Sequence, residues 1–330
     1  MLTGKWRFPQ PRADDHGPAG PGGEPPAGPP RRARWTAVPP SALVLTGVFS
    51  VQFGAGLAAK LFTQIAPAAV TGLRLWTSAA VMAVVGARPL RDAITGIVRR
   101  RAWRDAAVVA GFGVTLAVMN FSIYQSFARI PLGIAVTVEF LGPLGLAVAT
   151  SRRLLDLLWV AFAGAGVALL AHGGLSTTAG RGTVAIGVAF GLLAALSWAG
   201  YILLSRATGQ RFGGSTGLTI AMVAAAVLIT PVGVAAGGRT LLRPAILVTG
   251  LGIGLLSSII PYSLEMEALR RIPPRVFGIW MSLEPAVAAL VGLVLLGQSL
   301  AAREWLAIGC VMVACAGAAR GAREPQIPEA

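Results

Sequence analysis

The chain has few charged residues for its length. Only 12% of its 330 residues are charged and 55% are hydrophobic, whereas a soluble domain carries about 25% charged residues. A water-facing surface cannot be built from this composition. The hydrophobic residues form runs of about 20, long enough to cross a hydrocarbon core of about 30 Å, and a β-barrel would show short alternating segments instead. The sequence therefore predicts an all-α integral membrane protein.

Cysteine and the common catalytic motifs are also scarce. The two cysteines, Cys310 and Cys315, lie five residues apart in the last apolar run, where we expect them to be small packing residues. Their number and spacing fit neither a disulfide framework nor a metal site. The chain contains no G-x-x-x-x-G-K-[ST] loop, no H-E-x-x-H and no G-x-S-x-G elbow. We therefore expect no ATP-driven motor, no enzyme activity, no cofactor and no metal.

Acidic residues are outnumbered by basic ones, which gives a net charge of +15. The arginines lie at the ends of apolar runs and form no single basic face, which argues against a nucleic-acid partner. When the N-terminus is placed in the cytoplasm, most arginines fall in cytoplasmic loops. The positive-inside rule therefore predicts that both termini are cytoplasmic.

Proline and glycine divide the chain into segments. Residues 1–40 are rich in both and predict a disordered cytoplasmic tail; an over-long gene start is the alternative. Residues 41–172 and 183–320 predict two halves of five spanning helices each, and residues 321–330 predict a short cytoplasmic tail. The ten apolar runs are 41–62, 67–86, 105–128, 131–150, 155–172, 183–205, 215–236, 245–269, 274–298 and 303–320.

One segment occurs twice. Residues 129–143 read RIPLGIAVTVEFLGP, and residues 271–285, which start 142 positions later, read RIPPRVFGIWMSLEP. Because five helices per half is an odd number, the second half enters the membrane from the opposite side. The sequence thus predicts ten transmembrane helices in two inverted repeats, an architecture that lets a central site face each side in turn.

Each copy of the repeated segment carries a glutamate, Glu139 or Glu284. An ionisable group inside lipid costs at least about 2.5–3.5 kcal/mol, so we expect such a group to have a functional or structural role. At about 1.5 Å per residue, Glu139 lies about 12 Å and Glu284 about 16 Å from the proline that starts its run, so both lie near the midplane. By the same count, Arg74 lies about 10 Å from the outer end of its run, a depth at which it could form an ion pair with Glu139.

These acids have a functional and a structural interpretation. Glu139 and Glu284 can bind a substrate ammonium or exchange protons, or they can form a structural ion pair or a helix cap. Glu265 is a weaker candidate nearer the inner face. Glu267, two residues on, faces away from Glu265 and is expected to pair with Arg270 or Arg271.

Several other polar residues are candidates for the same site. Lys60 ends the first run, where it either snorkels to the headgroups or attracts carboxylates at the outer mouth. Asn120 and Tyr124 are four residues apart and share a helix face. Trp198 and Tyr201 either contact a small ligand or form an aromatic packing cluster.

Longer stretches resemble a known family. These are GLRLW at 72–76, MNFSIY at 119–124, PLGIAVTVEFLGP at 131–143, SRRLLDLLWV at 151–160, SWAGYIL at 197–203 and PYSLEMEALRRIPPRVFGIWMSLEPAVAALVGLVLLGQSL at 261–300. Over about residues 41–320 the chain resembles the EamA branch of the drug/metabolite transporter superfamily. The positions that match family patterns are Lys60, Arg74, Asn120, Tyr124, Glu139, Tyr201, Glu265 and Glu284.

The resemblance implies export of small amino acids or related metabolites, threonine and homoserine foremost, in exchange for protons across the bacterial cytoplasmic membrane. The expected partners are a small-molecule substrate, protons and membrane lipid, with a homodimer left open. The alternatives are export of another solute, such as a drug or a purine, and a non-transporting sensor or assembly subunit. A membrane enzyme would need a cluster of catalytic groups that the sequence does not contain.

Overall fold

The computed structural model describes residues 38–150, 156–172 and 180–321. Every regular element in these ranges is helical. The predicted tails lie outside the described residues, apart from positions 38–40 and 321. The helices are α1 (Pro40–Leu61), α2 (Pro67–Val85), α3 (Ala87–Arg100), α4 (Trp103–Phe127), α5 (Leu132–Glu139), α6 (Leu141–Thr150), α7 (Asp156–His172), α8 (Arg181–Gly209), α9 (Thr216–Gly237), α10 (Pro244–Gly254), α11 (Ile260–Leu269), α12 (Pro274–Met281), α13 (Glu284–Leu296) and α14 (Ala302–Gly321).

The helices follow the predicted apolar runs closely. Among the described residues, nine helical stretches are long and apolar enough to cross a membrane, and the apolar part of α7, Leu157–Leu170, is shorter. The chain is therefore a multi-pass membrane protein. A tenth crossing by α7 and the inverted orientation of the two halves remain predictions.

Several spanning stretches are interrupted. The chain breaks between α5 and α6 at Phe140, and between α12 and α13 at residues 282–283. A π-helix over Leu255–Ile259 joins α10 to α11. The two short helices that follow Arg-Ile-Pro, α5 and α12, are both eight residues long and occupy equivalent positions in the repeated segment. The repeat therefore produces the same local structure twice, a short helix followed by a break.

Small residues let the interrupted helices pack closely. A Cβ added to Gly133 on α5 would lie 2.6 Å from the Cβ of Ala289 on α13. One added to Gly142 on α6 would lie 2.0 Å from the carbonyl oxygen of Ala195 on α8. These contacts are possible only without side chains at the two glycines, as is typical of membrane helix interfaces.

The sequence did not predict α3, which lies in what we expected to be a cytoplasmic loop. None of its residues is buried, and it is too polar to span a membrane. Its apolar residues recur at helical spacing within a segment that is otherwise rich in arginine, so hydropathy alone misses it.

Candidate functional site

A cavity of about 180 Å³ lies among α1, α2, α4, α5, α8, α11, α12, α13 and the π-helix that joins α10 to α11. It brings together four charged side chains that are far apart in the sequence, one arginine and three glutamates. With the polar residues beside them, the set is Gln52, Arg74, Asn120, Glu139, Tyr201, Ser257, Tyr262, Glu265 and Glu284. Six of these nine were predicted as site residues, and Gln52, Ser257 and Tyr262 were not.

Two of the glutamates lie at the breaks in the spanning helices. Glu139 is the last residue of α5, and Glu284 is the first residue of α13. Helix ends leave backbone N–H and C=O groups without intrahelical partners, and discontinuous membrane helices commonly form the binding sites of transporters. The repeated segment therefore places one acid beside each break, although the two acids occupy different repeat positions.

Glu284 is held by a residue that sequence reasoning missed. The Nε2 of Gln52 on α1 donates a hydrogen bond of 2.7 Å to Oε1 of Glu284. Both side chains are buried, with 3% and 8% of their surface exposed. The other two oxygens of this pair, Oε1 of Gln52 and Oε2 of Glu284, are buried and have no protein partner among the described residues. A single glutamine inside an apolar run was the available signal.

Arg74 does not form the predicted ion pair with Glu139. Its Nη2 donates to the carbonyl oxygen of Ser257 at 3.0 Å, and its Nε lies 3.5 Å from Oγ of Ser258. Both serines belong to the π-helix, which brings them within reach of the guanidinium. In the described part of the chain no ion pair joins Arg74 to Glu139, so the two border the cavity as separate charges.

Aromatic rings complete the surroundings. The guanidinium carbon of Arg74 lies 5.5 Å from the ring centre of Tyr124, which is fully buried. Tyr124 therefore packs against the guanidinium of Arg74 but does not line the cavity. Tyr201 and Trp198 both line it; Tyr201 packs on Phe112, and Trp198 packs on Phe140. Of the two predicted tyrosines, Tyr201 thus lines the cavity and Tyr124 contacts Arg74.

Two predicted charged residues lie elsewhere. Lys60 is exposed at the end of α1 and does not line the cavity, an arrangement that fits snorkelling to lipid headgroups. Glu267 pairs with Arg271 and lies 3.5 Å from Nη1 of Arg270, which confirms its predicted pairing with these arginines. Cys310 and Cys315 are both free thiols.

The chemistry of the cavity follows from its charges. The guanidinium of Arg74 can bind a carboxylate, and the glutamates can bind an ammonium group or carry protons. Within the described ranges, no three His, Cys, Asp or Glu side chains are close enough together to hold a metal ion. The arrangement therefore suits a small organic solute that carries charges of both signs.

Several known proteins are similar to this chain in sequence or in fold. The profile of the EamA-like transporter family matches residues 185–320. The threonine/homoserine exporter RhtA of Escherichia coli (strain K12) is 36% identical over 278 residues, which cover 84% of this chain and 90% of RhtA. RhtA of Salmonella typhimurium (strain SL1344) is 36% identical over 291 residues, covering 88% and 95% of the two chains.

Two further similarities are weaker. The uncharacterized inner membrane transporter YedA of Escherichia coli (strain K12) is 30% identical over 199 residues, or 56% of this chain and 61% of YedA. A protein of known crystal structure matches the fold with a TM-score of 0.54 and 18% identity, covering 84% of this chain and 96% of its own. The likeness to RhtA over most of both chains, together with the profile match in the second half, establishes that this chain is a membrane transporter and belongs to the EamA-like transporter family.

Proposed function

We propose that this chain is a secondary exporter of small zwitterionic amino acids, with threonine and homoserine as its leading substrates. One observation carries the proposal: a single membrane-embedded cavity holds one arginine and three glutamates. The similarity to the RhtA proteins supports the choice of substrate. We place the exporter in a bacterial inner membrane with both termini in the cytoplasm.

The charges of the cavity complement those of an amino acid. The substrate carboxylate would bind the guanidinium of Arg74, whose planar fork suits bidentate contact. The substrate ammonium would bind Glu139 or Glu284. Since Arg74 is already fixed by the π-helix, it can offer its remaining N–H groups without first losing side-chain freedom.

The size of the cavity favours a small substrate. Pockets that enclose drug-sized ligands measure about 300–1,000 Å³, whereas this cavity measures about 180 Å³. A bulky drug would not fit without rearrangement. The cavity therefore supports the amino-acid proposal over export of a large hydrophobic compound.

The proposed transport cycle uses the helix breaks. Alternating access requires one half of the molecule to rock against the other around a fixed site, and α5 and α12 are short segments next to that site. After the substrate leaves, a returning proton would neutralise the vacated carboxylate and let the empty carrier reset. Net export would then be driven by proton entry.

The test is transport by the purified chain in proteoliposomes. Counterflow of radiolabelled threonine is measured against a panel of unlabelled solutes: homoserine, serine, valine, a purine and a cationic drug. Accumulation is then measured with an acidic lumen. We expect threonine and homoserine to support counterflow and the acidic lumen to drive threonine uptake, because protons leave as threonine enters.

Each alternative outcome has a clear meaning. Flux of the purine or the drug without flux of either amino acid would refute the substrate assignment. Threonine counterflow that an acidic lumen does not convert into accumulation would refute proton coupling. No flux of any solute, from protein that remains folded, would favour the sensor or assembly-subunit alternative.

A further inference from the structure

We propose that α3 is an interfacial helix that binds anionic phospholipid headgroups. The helix follows α2 after one residue, Gly86, and ends at Arg100. The next residue, Arg101, has a left-handed backbone (φ 50°) that turns the chain towards α4. It is thus tied at both ends to helices that span the membrane. This inference does not depend on the transported solute.

The two faces of α3 have opposite chemistry. Leu90, Ile94, Ile97 and Val98 recur at the spacing of one helical face. Ile94 is 47% exposed and Val98 is 65% exposed, whereas Leu90 and Ile97 are half-buried. The protein therefore leaves part of this face uncovered. Apolar side chains of a helix in this position are expected to insert into the acyl-chain boundary, about 5–10 Å deep.

The rest of the helix surface is basic: Arg88 and Arg99 lie opposite the apolar residues, and Arg91, seven residues before Val98, flanks them. Arg88, Arg91, Arg99 and Arg100 are all exposed, and none of them forms an ion pair with another described residue. Asp92 is the single acid on this helix. Two further exposed arginines, at positions 101 and 104, follow directly. The helix therefore carries a net positive charge that Asp92 offsets only in part.

A shallow cleft lies between these arginines. Its lining is four arginines, one acid and two small residues: Arg88, Arg91, Asp92, Thr95, Gly96, Arg99 and Arg100. At Gly96 an added Cβ would meet no atom within 4 Å. A headgroup phosphate in this cleft would receive charge-assisted hydrogen bonds from several guanidinium groups. The acyl chains of the same lipid would cover Ile94 and Val98.

Both faces together favour a membrane surface over a soluble partner. A basic patch alone would also attract free phosphate or an acidic protein, but an exposed apolar face beside it matches a lipid, which has an anionic head and apolar tails. Clusters of four to eight basic residues next to a spanning helix commonly bind anionic lipid. Each arginine near such a surface strengthens binding by about fivefold.

The test is native mass spectrometry of the full chain in a neutral detergent with equimolar phosphatidylglycerol and phosphatidylcholine of the same acyl chains. The wild-type chain is compared with a fourfold variant (Arg88→Gln, Arg91→Gln, Arg99→Gln, Arg100→Gln). A control variant changes four exposed arginines elsewhere (Arg206→Gln, Arg239→Gln, Arg275→Gln, Arg320→Gln) and has the same net charge.

We expect wild-type protein to retain at least fivefold more phosphatidylglycerol than phosphatidylcholine. That ratio should fall at least fivefold in the α3 variant and stay within twofold of wild type in the control. Ile94→Ser with Val98→Ser should also weaken retention, because the apolar face no longer inserts. If the fourfold variant does not fold, the pairs Arg88→Gln/Arg91→Gln and Arg99→Gln/Arg100→Gln replace it, each with about half the effect on a logarithmic scale.

Three results would overturn the proposal. The first is equal retention of the two lipids by the wild-type chain. The second is the same loss in the control variant, which would assign the preference to net charge and not to α3. The third is displacement of phosphatidylglycerol by millimolar inorganic phosphate, which would make the cleft a site for free anions.

Discussion

At the scale of single residues, the site depends on hydrogen bonds that fix its charged groups. Gln52 holds one oxygen of Glu284, and the π-helix holds Arg74. In each case a neutral polar group from another helix fixes a charged group without neutralising it. Arg74 and Glu284 can therefore still interact with a substrate.

Replacing Gln52 tests this arrangement directly. In Gln52→Leu, Glu284 would stay buried with neither oxygen hydrogen-bonded. We expect the free energy of unfolding to fall by about 1–3 kcal/mol, because a buried polar group that loses its partner costs about that much. We also expect weaker binding of threonine. Thermal unfolding and radioligand binding of the purified protein measure the two effects.

The control for Gln52 is Gln64→Leu, since Gln64 is exposed just after α1. This change should leave both stability and threonine affinity within error of wild type. A Gln52→Leu protein that is as stable as wild type and binds threonine equally well would show that the hydrogen bond to Glu284 has no role.

At the scale of helices, close packing around the interrupted segments fixes the shape of the cavity. Gly142 on α6 touches the backbone of α8 directly after the break that follows Glu139, whereas Gly145 on the same helix has no atom within 4 Å of an added Cβ. The two glycines form a matched pair: one is required for packing and the other is free.

Gly142→Ala should destabilise the protein, and Gly145→Ala should not. The new methyl group of Gly142→Ala would overlap the carbonyl of Ala195, and such overpacking costs about 1–3 kcal/mol or more. Gly145→Ala should instead stabilise the helix by about 0.5–1 kcal/mol. Thermal unfolding in the same detergent compares the two variants, and equal melting temperatures would contradict the packing described for α6.

Much of the helical architecture could be predicted from the sequence, because hydropathy and length report directly on membrane crossing. The exceptions have physical reasons. The helix α3 escaped detection because it is amphipathic and not apolar throughout. The contact of the π-helix with Arg74 on α2 and the hydrogen bond between Gln52 on α1 and Glu284 on α13 join segments far apart in the sequence, so no local pattern encodes them. The contact with the π-helix also explains why Arg74 forms no direct ion pair with Glu139 in the described part of the chain, although both residues border the cavity.

For the whole molecule, we propose a carrier in which the binding of substrate and the binding of protons are separable. Glu139 lies at the end of α5 and has no hydrogen bond to another described side chain. It is therefore the carboxyl we expect to exchange protons, whereas Glu284 is held by Gln52.

Glu139→Gln should separate exchange from coupling. The neutral amide keeps the size of the side chain but cannot release a proton, so threonine counterflow should persist at about the wild-type rate while accumulation driven by an acidic lumen is lost. The two assays are run on the same proteoliposomes. Accumulation that survives in Glu139→Gln would assign proton coupling to another group; loss of both activities in folded protein would give Glu139 a role in substrate binding.

The most direct test of the central claim, that this cavity is the transport site, is threonine counterflow by Arg74→Gln. Exchange requires no proton gradient, so it reports on the substrate site alone. We predict at least a tenfold loss, because Arg74 is the only cationic side chain that the described residues contribute to the cavity, and the substrate carboxylate loses it. Arg129→Gln, which removes an arginine that packs on Phe190 outside the cavity, should retain at least half the wild-type rate. A wild-type rate in Arg74→Gln would contradict the account.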